Sequence, residues 1–148
     1  MRALIQRVSQ AKVEIGGEIA GEIGPGLLVL LGVTHGDGET DQAFLIRKIT
    51  QLRIFNDEAG KMNLNVSQVG GELLVVSQFT LFADAKKGNR PSYTQSAPPA
   101  MAEPRYEAFV AALRQQFDGK VATGRFGANM QVSLLNDGPV TLMLDSRM

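Results

Sequence analysis

The segment Gly26-Leu27-Leu28-Val29-Leu30-Leu31-Gly32-Val33-Thr34 decides the fold. Its apolar residues run on without the polar alternation of a half-wet strand, which is the pattern of a strand covered on both faces. Later in the chain, Glu72-Leu73-Leu74-Val75-Val76-Ser77-Gln78-Phe79-Thr80 aligns on it without gaps, and each segment precedes a helix. Two related strand–helix units are one reading of this echo. The other is that buried strands resemble one another because they meet the same packing demand.

Outward from these two strands the chain reads as alternating structure. Val13 and Ile15 alternate with Lys12 and Glu14 and run into Gly16-Gly17, a strand entering a hairpin. Thr40 or Asp41 can cap a helix with the apolar stripe Leu45, Ile49 and Leu52. A second helix is expected with Pro104 in its first turn and Tyr106, Phe109, Val110, Leu113 and Phe117 on one face. The tail returns to strand. Val132 and Leu134 alternate with Gln131 and Ser133, and past Gly138-Pro139 the residues Val140, Leu142 and Leu144 alternate with Thr141, Met143 and Asp145. That last strand lies close to Met148, so it is expected at a sheet edge that needs cover.

A chain of 148 residues suits one domain, taken as 1–148. Fifteen basic and fifteen acidic side chains give zero formal charge, which argues against coating nucleic acid through bulk charge but not against a local basic patch at one RNA end. Cysteine is absent, which removes disulfides, thiol nucleophiles, iron–sulfur clusters and cysteine zinc sites. The opening Met1-Arg2-Ala3-Leu4-Ile5-Gln6-Arg7 has no secretory pattern. The run Leu27 to Val33 is too short to span a bilayer, so a cytoplasmic protein with no membrane partner is expected.

The candidate chemistry narrows by elimination. His35, between Thr34 and the Gly36-Asp37-Gly38 turn, is the sole histidine, and any Ser–His–Asp arrangement would have to use it; a solvated loop histidine is the plainer reading. Asp37, Glu39 and Asp41 read as helix-start charges in preference to a calcium site, and no metal-ligand spacing is present. No Gly-x-x-x-x-Gly-Lys phosphate loop occurs.

Three segments remain. Ser77-Gln78-Phe79-Thr80-Leu81 ends a buried strand in hydrogen-bonding side chains, each of which needs a partner because an unsatisfied buried polar group costs about 1–3 kcal/mol; capping of the strand end would also supply one. Asn136-Asp137-Gly138-Pro139-Val140-Thr141 carries a proline that marks an edge, a bulge or a connection, with a Gly-Pro step at which a cis peptide is accessible; spacing alone favours a hairpin turn. Lys86-Lys87-Gly88-Asn89-Arg90-Pro91-Ser92-Tyr93 sets cations beside an aromatic ring, fit to meet phosphate and a base, or to be a solvated loop.

Together these three segments, with Met1-Arg2-Ala3-Leu4-Ile5-Gln6-Arg7-Val8 and Gly127-Ala128-Asn129-Met130, resemble the D-aminoacyl-tRNA deacylases over essentially the whole chain. Any one motif is weak; their joint order is specific. A related animal family reads Pro-Gln-Ala-Thr where this chain reads Ser77-Gln78-Phe79-Thr80, which implies the D-specific branch.

The resemblance implies a homodimer with its active site at the subunit interface, acting on the acceptor end of aminoacyl-tRNA, with no cofactor, no metal and no DNA partner. It implies that Ser77, Gln78, Phe79 and Thr80 form the catalytic segment, with backbone N–H groups around Phe79 and Thr80 holding the substrate and an oxyanion. Gly138-Pro139, cis and inserted into the partner's pocket, would exclude L side chains, with Arg7 fixing its orientation. Phe126 and Met130 would line an adenosine pocket, and Lys86, Lys87 and Arg90 would meet tRNA. A 2′-hydroxyl of the terminal adenosine would assist water. The fold so expected is α/β in the mixed α+β sense: one domain with a largely antiparallel, barrel-like sheet and two main helices. The competing readings are a small-ester hydrolase using Thr80 or Ser77 with His35, and a non-catalytic dimeric binding module for tRNA ends or nucleotides.

Overall fold

The computed structural model describes residues 1–148. Long strand β1 (Arg2–Ile15) turns into β2 (Glu18–Ile23), and β3 (Gly26–Gly32) follows. Helix α1 (Glu39–Gln51) leads to the small hairpin β4 (Phe55–Asn56) and β5 (Met62–Leu64). Strand β6 (Glu72–Ser77) runs into a 3₁₀ turn (Phe79–Phe82), then helix α2 (Pro99–Gln116), β7 (Val121–Thr123) and β8 (Gln131–Asp145).

The main sheet has the order β2-β1-β3-β6-β7, and β8 pairs with β1. Strand β1 is antiparallel to β2, β3 and β8, whereas β3–β6 and β6–β7 are parallel. The sheet curls until its ends nearly meet. Gly21 permits that approach, since a Cβ there would lie 2.3 Å from the carbonyl oxygen of Thr123 in β7. The result is a mixed α+β domain with two helices on a nearly closed, barrel-like sheet.

The echo between the two apolar segments has a geometric counterpart. Strands β3 and β6 lie side by side in parallel, and the residues aligned in sequence are the residues paired in space, Leu27 with Leu73, Val29 with Val75 and Leu31 with Ser77. Both strands are buried on both faces. Leu27, Val29, Leu31, Leu73 and Val75 pack against Leu45, Ile46 and Ile49 of α1 and Tyr106, Phe109 and Leu113 of α2. Leu28, Leu74 and Val76 turn the other way, onto Val8, Ala11, Val13 and Ile23 inside the barrel. Burying one such side chain stabilises the fold by about 1.5–3 kcal/mol, so a polar residue at any of these positions would be resisted.

The helix starts differ from expectation. Gly38, not Thr40 or Asp41, caps α1, and Asp41 sits inside the first turn, where Oδ2 accepts the Gly38 N–H at 3.0 Å. Helix α2 opens at Pro98-Pro99, so Pro104 lies within it instead of in its first turn. Pro104 lacks the N–H that would reach the carbonyl of Ala100; both residues are exposed, so water can satisfy that carbonyl. The apolar face of α2 is as read, with Phe117 buried just past its end.

The tail is one strand, and Gly138-Pro139 is not a hairpin turn. Strand β8 pairs with β1 on both sides of it, Gln6 with Thr141 and Val8 with Asn136. No helix of the protein is long and apolar enough to cross a membrane.

Candidate active site

A cavity of about 640 Å³ opens where the end of β6, the segment before α2 and the segment between β7 and β8 converge. Ser77, Gln78 and Phe79 line one side, Tyr93, Ser96, Pro98 and Pro99 a second, and Phe126, Gly127, Ala128 and Met130 a third. Val33, Val76, Ala97, Ala102 and Val132 complete it. Of the residues singled out in the sequence, Ser77, Gln78, Phe79, Phe126 and Met130 are thus brought together. Thr80 is adjacent, outside the lining, and its Oγ1 accepts a hydrogen bond from Gln78 Nε2. A second hollow of about 490 Å³, lined mainly by polar groups that include Lys12, Glu22 and Lys120, contains none of those residues.

The lining of the larger cavity has no carboxylate, histidine, lysine or arginine. Its polar equipment is the side chains of Ser77, Gln78, Tyr93 and Ser96, together with main-chain groups. The N–H groups that open a helix have no acceptor within it, so those of Phe79 and Thr80, at the start of the 3₁₀ turn, are free of intrahelical bonds.

The turn is held from several directions. Gln78 N–H donates to the carbonyl of Leu31 at 2.8 Å, and Ser96 Oγ donates to that of Phe79 at 2.7 Å. Arg2 Nη1 reaches the carbonyl of Leu81 at 2.9 Å, and its Nε bonds Asp145 at 2.9 Å. Burial pushes the Asp145 carboxyl up, but the hydrogen bonds from Arg2 and the Arg147 N–H outweigh it and hold the group below its ordinary value. The rings of Phe79 and Tyr93 meet edge to face with centroids 5.1 Å apart, at the cavity's outer rim.

His35 is exposed and does not enter the cavity; its Nε2 meets the carbonyl of Thr94 at 2.9 Å. Asp37 does more than charge a helix start. Its buried carboxylate accepts the Thr34 N–H at 2.8 Å, Arg147 at 2.9 Å and the Met1 amine at 2.9 Å. Thr34 in turn donates through Oγ1 to the carbonyl of Gln95 and forms a bridge with Ser96, so this network braces the cavity wall. Ser96 and the Pro98-Pro99 step were not legible as site residues. Their only sequence signal was paired proline at a helix start, which Pro104 obscured.

Lys86, Lys87 and Arg90 are exposed and form none of the protein's ion pairs. Asp84 and Ser92 close the loop that carries the three cations by mutual backbone hydrogen bonds of 2.8 Å.

Gly138 and Pro139 lie outside this chain's cavity and are exposed; the peptide between them is cis. Opposite Arg7 alone, β8 spends Asp137, Gly138, Pro139 and Val140. Arg7 is the one charged residue that is buried over its whole length, main chain included. Its Nη1 donates to the carbonyl of Ile54 at 2.7 Å, and its Nε donates to that of Asp137 at 3.2 Å. The same strand presents Leu134, Leu135, Leu142 and Met143 to solvent.

The profile of the family described as D-Tyr-tRNA(Tyr) deacylase matches residues 4–145. A relative from Cytophaga hutchinsonii described as D-aminoacyl-tRNA deacylase is 58% identical over 147 residues, 99% of this chain and 98% of that protein. One from Thermosipho africanus with the same description is 59% identical over 147 residues, again 99% and 98% of the two chains. Among solved structures, one described as c-Myc DNA Unwinding Element Binding Protein is 42% identical, covers 98% of both chains and superposes with a TM-score of 0.93. Another, described as a probable eukaryotic D-amino acid tRNA deacylase, is 16% identical with a TM-score of 0.78 over 97% of this chain and 98% of that one, a likeness of fold alone.

Proposed function

The chain belongs to the D-Tyr-tRNA(Tyr) deacylase family, and from that premise we propose that its cavity is where water cleaves the ester of a D-aminoacyl-tRNA, or of mischarged glycyl-tRNA. The observation that carries this reading is the uncharged, part-aromatic lining that includes Phe79, the first residue of the 3₁₀ turn, with Thr80 next to it in the chain. Such a site has no side-chain base to activate a nucleophile. It suits an ester that is already reactive, acted on by positioning and by stabilising the oxyanion.

Water adds to the ester carbonyl, and its oxygen becomes an oxyanion held by main-chain N–H groups at Phe79 and Thr80. The bond to the terminal ribose oxygen breaks, and that oxygen leaves with a proton. The 2′-hydroxyl of the same adenosine assists the attack. Each preorganised donor of this kind contributes about 2.7–4 kcal/mol to lowering the barrier. Ser77 and Gln78 border the acyl group, and Phe126 and Met130 hold the adenine, an aromatic and a polarisable side chain against a base. Lys86, Lys87 and Arg90 meet the acceptor-stem phosphates. The substrate, an intermediate of translation, sets the reaction in the cytoplasm.

The active unit in this reading is a homodimer. Strand β8 offers an unpaired edge and exposed Leu134, Leu135, Leu142 and Met143, a surface that a second copy related by two-fold symmetry would cover. Gly138-Pro139, excluded from its own cavity, would then project into the partner's. Enantiomers carry the same groups, so only a clash can separate them. A main-chain wall fixed by Arg7 admits hydrogen or an inverted centre and rejects an L side chain.

Turnover tests the reading. A catalytic amount of the purified protein should clear a many-fold excess of D-tyrosyl-tRNA, whereas a binding module would stop at one equivalent.

A further inference from the structure

We propose that Asn136 and Thr141 are positioning residues for stereochemical discrimination: their side chains close the base of the Gly138-Pro139 excursion and hold it in the attitude that excludes an L-aminoacyl group. This rests on the reading that the excursion is the excluding wall.

The geometry of the β1–β8 ladder leads to it. Pairing runs in register up to Gln6 with Thr141 and resumes at Val8 with Asn136. The ends of the excursion therefore sit opposite residues two apart on β1, a span of roughly 7 Å. Between them the ladder's own hydrogen bonds are lost, and four residues of main chain must be held by other means. Asn136 Nδ2 donates to Thr141 Oγ1 at 2.9 Å, directly across that opening.

The two residues share a face of the pleat. Gln6 and Val8 lie on the same side of β1, so their partners Thr141 and Asn136 do too, while Arg7 turns to the other. The excursion is thus gripped twice. Arg7 takes the carbonyl of Asp137 from one face, and the Asn136–Thr141 bond closes the base from the other.

Oδ1 of Asn136 is buried and makes no hydrogen bond within this chain, so the bond from Nδ2 to Thr141 is the side chain's one polar tie here.

A wall discriminates only while it stands still. If the base opens, Gly138-Pro139 can give way before an L side chain, and rejection fails before hydrolysis does. A bond that merely staples two parts of a surface strand would lower thermal stability and leave the preference for D over L unchanged.

The test is the ratio of kcat/KM for D-tyrosyl-tRNA to that for L-tyrosyl-tRNA in the intact protein. It is measured for the native chain, Thr141→Val, Thr141→Ser, Asn136→Ala and the double variant Asn136→Ala with Thr141→Val. The ratio is expected to fall about tenfold or more in Thr141→Val and Asn136→Ala, since misplacement by about 1 Å can cost about 100-fold. The double variant should fall no further than the worse single one, and Thr141→Ser, which keeps the hydroxyl, should restore the ratio. A discriminating native protein whose ratio stays within about twofold in the single variants overturns the proposal, as do losses that multiply in the double variant. Should one single variant prove insoluble, the ratio in the other decides. Equal cleavage of both substrates by the native protein sinks the reading beneath the proposal, and needs no variant to be seen.

Discussion

Arg7 and Gly138 are packed so closely that a Cβ on the glycine would lie 2.9 Å from Nη2 of the arginine. The arginine has little room to yield, because its other nitrogens are engaged by the carbonyls of Ile54 and Asp137. Gly138 also has a φ of +123°, which an L side chain rarely adopts, and the added carbon would press on Val140 at 2.9 Å. Backbone forced into such a region costs about 1–3 kcal/mol. Gly138→Ala should therefore lower the melting temperature by several degrees and lower the ratio of kcat/KM for D-tyrosyl-tRNA to that for L-tyrosyl-tRNA about tenfold or more, as the wall shifts in the site. Thermal unfolding and initial rates measure both; a native-like ratio would show that the wall's attitude does not matter.

His35 and Thr80 stand outside the cavity lining. Replacing His35 by Ala removes a contact to the Thr94 carbonyl, and replacing Thr80 by Val removes the acceptor of Gln78. Neither change deletes a main-chain N–H. Both variants should keep deacylation within about an order of magnitude, whereas loss of a general base typically costs about 10²–10⁴-fold. A drop of that size in either would restore side-chain nucleophilic chemistry as the explanation.

Lys86, Lys87 and Arg90 are exposed and take part in no ion pair. Their replacement by Ala together should raise KM for aminoacyl-tRNA with little change in kcat. It should also flatten the dependence of kcat/KM on salt, because each lost phosphate contact removes about one released counterion. Hydrolysis of D-tyrosyl-adenosine, which lacks the acceptor stem, should be unaffected. Equal loss on both substrates would place these cations elsewhere in the mechanism.

Tyr106 donates to the carbonyl of Val75 at 2.9 Å beneath α2, and burial pushes its hydroxyl up to about 12. An unfolded tyrosine titrates near 10, so the folded state keeps its proton where the unfolded state has lost one. The stabilisation is complete below about pH 10 and is lost as pH rises toward about 12. Denaturant unfolding across that window should show stability falling with pH, and Tyr106→Phe should remove part of the slope. An identical slope in the variant would assign the alkaline loss to other groups.

How far the sequence carries can be seen in particular residues. The continuous apolar runs at Leu27 and Leu73 announced strands buried on both faces, because a requirement for dryness leaves no polar alternation. Their parallel pairing was not legible, since periodicity records burial and not neighbours. Helix starts failed where two signals competed: Pro104 and Pro98-Pro99 suit a first turn equally, and only the exposure of Ala100 lets proline sit inside. The tail misled for a related reason. Gly-Pro between alternating runs reads as a turn, yet Arg7 of β1 donates through Nε to the carbonyl of Asp137 where the strand bulges and continues. Asp37 looked like a helix-start charge because its partners, Met1 and Arg147, are remote in the chain.

Under the proposed function, hydrolysis is tied to handedness. This tie is tested most directly by initial rates of tyrosine release from D-tyrosyl-tRNA and L-tyrosyl-tRNA, matched in concentration and salt and read against spontaneous hydrolysis. The D substrate should be cleared over many turnovers while the L substrate decays no faster than without protein. Release of both at the same enzymatic rate would contradict it.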